Sequence, residues 1–166
     1  MKKLIALVAL FMFVAVMSYA TETTTGTGTA KAKIVAAATI EEVSGSALNF
    51  GTIFKKAGGG TVSMTAAEST SRTSSTLTFA TGGYSSDHFL MSNLDVGTTY
   101  NLSVPASVSI TRDGGSETMT VAPVLSVTSF EADAATKDIF VGGTLTVGDN
   151  QAVGQYSGTY LVTVTY

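Results

Sequence analysis

The stretch GQYSGTYLVTVTY, residues 154–166, decides the fold. Tyr160, Val162, Val164 and Tyr166 fall on one side of it, and Thr159, Thr163 and Thr165 on the other. Apolar and polar residues that alternate with period two mark a strand with one buried face. The last twelve residues carry neither charge nor proline. A chain end is polar and frayed unless something ties it down. These residues therefore predict a final strand held in a sheet, with the Tyr166 ring at the end of the core and its hydroxyl toward water.

The same period runs back through the chain. Ile34, Ala36, Ala38 and Ile40 share one face of a first strand, ended by Ser44-Gly45-Ser46. LNFGTIF (48–54) follows, GGGTVSM (58–64) opens the third after a glycine-rich turn, Leu77 and Phe79 mark a fourth strand, and Phe89 and Met91 lie on a fifth. Tyr100, Leu102 and Val104 line a sixth, closed by Pro105. Val108 and Ile110 lead through Asp113-Gly114, a favoured hairpin turn, to Met119 and Val121. Leu125 and Val127 carry that strand past Pro123. Ile139-Phe140-Val141, Leu145 and Val147 make the next, with Gly142-Gly143 at its bend. Ala66–Ser75 and Glu131–Asp138 tolerate a helix but read as loops. Nine or ten short strands spaced 8–12 residues apart, with no 3.6 period, predict one antiparallel, immunoglobulin-like β-sandwich over residues 30–166.

The N-terminus has a different character. Met1-Lys2-Lys3 is basic, Leu4–Met17 is apolar, and Ser18 and Ala20 are small residues at the −3 and −1 positions before Thr21. This is the pattern of a secretory signal peptide, residues 1–20, cleaved between Ala20 and Thr21. The apolar run is shorter than the roughly 20 residues a membrane span needs, so no membrane insertion is expected after cleavage. Residues 21–29, TETTTGTGT, read as a flexible, Thr-rich leader. Cleavage would leave seven of the nine basic residues against all twelve acidic ones, a net charge of −5. That balance argues against nucleic acid as a partner, because phosphate binding needs Lys/Arg patches. The chain has no cysteine, so an exported domain must hold together by packing and strand pairing alone.

Little in the chain points to catalysis. His88 is the one histidine, beside Asp87, and no G-x-S-x-G elbow accompanies it. Glu41 and Glu42 are adjacent and so face opposite sides of a strand. Glu131, Asp133 and Asp138 match no EF-hand spacing. Gly58-Gly59-Gly60 lacks the Lys-Ser/Thr of a phosphate loop. No enzymatic activity, cofactor or metal is expected. A serine hydrolase built on His88 is the enzymatic alternative.

LNFGTI (48–53), GGYSSDHFLM (82–91), YNLSVP (100–105), VGGTLTV (141–147) and the final thirteen residues together resemble the exported bacterial family known as domain of unknown function 4402. The resemblance spans nearly the whole mature chain and implies a Gram-negative, exported β-domain without catalytic residues. A looser resemblance is to chaperone–usher fimbrial subunits, whose last strand sets a glycine twelve residues before a near-terminal tyrosine. Gly154 and Tyr166 keep that spacing, although Tyr166 is last rather than second from last. The cysteine pair common in those subunits is absent.

These readings converge on a non-enzymatic structural protein in the periplasm, on the outer surface or outside the cell. It would be a fimbria-like or envelope subunit that associates through strands. The candidate assembly strand is Gly154, Tyr160, Val162, Val164 and Tyr166. Implied partners are a second copy, other surface subunits and a periplasmic chaperone. A surface module binding glycans or a cell-wall partner through Tyr84, Tyr156 and Phe54 stands as the alternative.

Overall fold

The computed structural model describes residues 22–166, so the signal peptide and the Ala20–Thr21 bond lie outside the described residues. The chain divides into two units, one ending at Lys33 and the other comprising Ile34–Tyr166. In the first, residues 22–33 are exposed and without regular structure. The second is all-β and antiparallel, with no helix among the described residues.

Thirteen strands build it: β1 (Thr39–Glu42), β2 (Ile53–Phe54), β3 (Gly60–Met64), β4 (Arg72–Thr73), β5 (Thr78–Phe79), β6 (Asp87–Ser92) and β7 (Thr99–Ser103), then β8 (Val108–Arg112), β9 (Thr118–Leu125), β10 (Ser129–Glu131), β11 (Lys137–Val147), β12 (Tyr156–Ser157) and β13 (Thr163–Thr165). The count exceeds nine or ten because several predicted strands are broken or very short. LNFGTIF supplies only β2 and an isolated bridge from Asn49 to Ser85. The stretches read as loops contribute β4, the last residue of β10 and the first two of β11.

Eight strands form one sheet in the order β1-β6-β11-β9-β8-β12, with β3 on β11 and β4 on β3. β11 is its axis. Lys137–Val141 pair with β6, Gly143–Val147 pair with β3, and Val141–Thr146 pair with β9. The change of neighbour falls at Gly142, where the chain leaving β3 crosses so closely that a Cβ would lie 2.5 Å from the Met64 carbonyl oxygen. Only glycine leaves that space. Pro123 is tolerated within β9 because its second neighbour, β8, ends at Val108 opposite Val121.

The inward residues of this sheet meet two smaller sheets, β10-β7-β13 and β2-β5, in a sandwich-like arrangement. One core cluster joins Met91, Ile139, Val141 and Leu125 to Tyr100 and Leu102 of β7. A second joins Val62, Met64, Val121 and Leu145 to Phe50 and Leu77. The outward residues are hydroxyl-rich and in register, with Thr61, Thr146, Thr120 and Ser109 forming one rank across four strands.

The first predicted strand is shorter than expected. β1 begins at Thr39, opposite Ser92, and Asn93 then turns away with φ 58°. Ile34–Ala38 have no strand to pair with, and Ile34 is 96% exposed.

Candidate functional site

The final stretch is two strands rather than one. β12 pairs with β8 in the large sheet, through Tyr156 opposite Arg112, whereas β13 pairs with β7 in the three-stranded sheet, through Val164 opposite Leu102. Between them the chain crosses from one layer to the other. Gly158 makes the close approach, since a Cβ there would lie 2.9 Å from the Ser109 carbonyl oxygen. Gly154 stands just before β12 with φ 151°, and the Arg112 side chain lies 3.0 Å from where its Cβ would be. Tyr160, Val162 and Val164 pack against the first core cluster, while Leu161 between them is 76% exposed. The predicted faces are therefore kept up to Val164. Tyr166 departs from the pattern: it is 66% exposed, with its ring 5.2 Å from that of Tyr100.

Tyr160 is tied down by chemistry as well as packing. Its phenol donates to Asp87 Oδ2 at 2.6 Å. Asp87 Oδ1 accepts from Ser46 Oγ at 2.8 Å and from the backbone N–H of His88 at 2.8 Å. The carboxylate is buried and all three of these donors are neutral, so hydrogen bonds are what offset its desolvation. Burial, the bond to Asp87 and the negative charges of Asp87 and Glu42 all push the Tyr160 phenol well above its ordinary range.

Beside this group opens a cleft of about 990 Å3. Its floor is the inward face of the large sheet. Val108, Val121 and Leu145 form one rank across β8, β9 and β11, and Ile110 and Met119 start the next, with Val147 beside them. One wall is the segment 47–56, which carries β2, and the other is the segment 151–160, which leads into β13. Asp87 and Tyr160 also line it. The layer opposite the large sheet is thus interrupted, since β10-β7-β13 and β2-β5 are separate sheets. β13 and β2 each have one paired neighbour and one open edge. Sequence reasoning missed this cleft, because its floor residues alternate like any buried strand.

The other candidate groups lie apart from it. His88 Nε2 is 2.8 Å from Asp138 Oδ1 on the outer face, with its ring stacked on Phe140 at 4.6 Å. Ser46 Oγ donates to Asp87 rather than to that ring. Among the described residues, no three His, Asp or Glu side chains converge as metal ligands would. Tyr84 lies against the Arg72 guanidinium, 4.6 Å from its ring, and Phe54 is 53% exposed at the end of β2. Tyr156 alone of the three aromatics lines the cleft, and its hydroxyl donates to the Ala152 carbonyl at 2.7 Å.

No curated protein and no solved structure matches the chain significantly. A family model does, over residues 38–166, which includes every strand from β1 to β13, the cleft and the layer crossing. The chain belongs to the family described as Domain of unknown function (DUF4402).

Proposed function

We propose that the protein is a non-enzymatic, exported structural subunit of a surface appendage or envelope layer, associating with its neighbours through strands. The observation that carries this reading is the interrupted second layer. Apolar side chains of three strands floor an open cleft; β2, whose Ile53 lines it, and β13, into which its other wall leads, each have one open edge. An extended chain laid there gains main-chain hydrogen bonds from an edge and burial from the floor, which is the general mode of strand addition. Open edges are normally blocked by charge or proline. β13 carries neither. The resemblance of the chain end to fimbrial subunits supports the same reading, and a periplasmic chaperone would be the means of covering the cleft before assembly.

The test is the mass of the mature chain, Thr21–Tyr166, by light scattering over a range of concentrations, with immunodetection on whole cells of the native host. Multimers that grow with concentration, together with surface exposure, are expected. A monomer at every concentration that never reaches the cell surface overturns the proposal.

A further inference from the structure

The cleft is elongated, and its two ends differ in charge. Both walls run along β11, in opposite directions. The 47–56 wall starts two residues from Asp87, where Asn49 bridges to Ser85. It ends at Lys56, whose carbonyl accepts the Gly59 N–H at 3.3 Å, and Gly59 lies against the Val147 carbonyl. The 151–160 wall starts at Gln151, whose N–H reaches the Gly148 carbonyl, and ends at Tyr160 on Asp87. Asp87 pairs with Val141 and Gly60 with Val147, six residues further along β11, so the cleft is roughly 20 Å long. Four charged residues line it, and they are sorted by end. Glu42, opposite Phe89, stands with Asp87 at one. Lys55 and Lys56 stand at the other, and the floor between is apolar.

We infer that this cleft binds a long-chain fatty acid, with its carboxylate at Lys55 and Lys56 and its methylenes running over Ile110 and Met119 to Val108 and Val121. An apolar cleft with a few polar groups gathered at one place is the usual form of a small-molecule site. A fatty acid has one anionic head and no other polar group, which is what the lining offers. Lys56 Nζ gives one of its three N–H groups to the Thr76 carbonyl at 3.0 Å and keeps two, and Lys55 is exposed beside it. The charges set the direction, because a carboxylate at the far end would meet Glu42 and Asp87 instead of two cations. They also select an anion over a cation. Asp87 already accepts from Tyr160, Ser46 and the His88 N–H, which leaves Glu42 alone to receive a cationic head. Phe89 and the Tyr160 ring, edge to face at 6.3 Å, receive the methyl end. Such binding goes beyond the association proposed above and does not require it; one floor cannot hold an acyl chain and a strand together.

Dodecanoate, kept below its micelle concentration, is titrated calorimetrically into the mature chain, Thr21–Tyr166, diluted to single chains by light scattering. Saturable binding is expected. Each buried methylene tightens binding roughly fourfold, so decanoate, two methylenes shorter, should bind about tenfold more weakly. Dodecyltrimethylammonium, of the same length and opposite charge, should also be weaker by about tenfold or more. Lys55→Glu combined with Lys56→Glu changes two exposed side chains, so the melting temperature should hold while dodecanoate affinity falls by about tenfold or more. A second readout locates the ligand. The mature chain has three methionines, Met64, Met91 and Met119, and Met119 alone of them lines the cleft. With the methionine methyls isotopically labelled, dodecanoate should shift the Met119 NMR signal and leave that of Met91, fully buried in the first cluster, in place. Absence of binding overturns the inference. So does binding that leaves the Met119 signal unmoved, that ignores the charge of the head, or that persists at full strength in the folded lysine variant.

Discussion

Tyr160 donates its phenol hydrogen to Asp87 across 2.6 Å, joining the chain's passage between layers to the first residue of β6, seventy-three positions earlier. The bond closes the cleft end of the first core cluster. It also gives a buried carboxylate one of its three donors, so it holds both the crossing segment and the start of β6.

Tyr160→Phe removes that donor while keeping the ring that meets Phe89 edge-on at 6.3 Å. Leaving a buried oxygen unpaired costs about 1–3 kcal/mol, and urea unfolding at pH 7 should show a loss of that size. The pH dependence carries a sign. The folded phenol is held protonated well above its ordinary range. Unfolded tyrosine ionises near pH 10, so above about pH 10 the unfolded state binds fewer protons than the folded one. The contribution of Tyr160 is therefore complete below pH 10 and is lost as pH rises beyond it. The phenylalanine variant has no such proton, and the stability gap between the two proteins should narrow as pH rises through about 10. A gap independent of pH would contradict the assignment.

Ile139 is fully buried where β11 meets β6 and the three-stranded sheet. Ile139→Ala should cost about 2–5 kcal/mol, from the lost methylenes and the cavity they leave. Thermal melting checks this, and an unchanged midpoint would mean that the first cluster repacks freely.

Gly142→Ala tests the change of neighbour on β11. Its Cβ would meet backbone of the chain leaving β3, including the Met64 carbonyl oxygen and the Ala66 nitrogen, which cannot swing aside as a side chain can. A loss on the order of 3 kcal/mol is expected from the overpacking. Gly114→Ala, at the tip of the β8–β9 turn with φ 72° and open space around it, should cost less.

Much of this architecture was legible because it is local. The β8–β9 hairpin follows from Asp113-Gly114, and its turn is closed by the Arg112 N–H on the Glu117 carbonyl at 2.9 Å. The faces of β3, β7 and β11 follow from period two. Period two states which way a side chain points, but not which strand lies beside it or whether a layer covers it. Val108 and Met119 have the pattern of core residues and do pack against the second core cluster, yet they also floor a cleft. Tyr160 and Val164 were placed on the right face, yet nothing local announces that Gly158 carries the chain to another sheet between β12 and β13. Tyr166 illustrates the same limit: Tyr100 lies on one side of its ring, and no further strand buries the rest.

His88→Ala addresses the enzymatic alternative. The pair with Asp138 is partly exposed, so its loss should cost no more than about 1 kcal/mol. Neither protein is expected to turn over activated esters. Turnover by the unmutated chain that disappears in the variant would reinstate a hydrolase and remove the basis for a purely structural role.

The last prediction concerns whether the N-terminal leader takes part in assembly. If association runs through the cleft and the open β-edges, deleting residues 21–29 should leave multimers intact, since TETTTGTGT brings no apolar side chain larger than the threonine methyl. The deletion stops short of β1, which starts at Thr39, and of Ala38, which packs against the first core cluster, so the β-domain should melt at the same temperature in both proteins. Light scattering and melting on the two proteins decide the matter. Multimers lost with the deletion, at an unchanged melting temperature, would assign the contact to the threonine-rich leader instead.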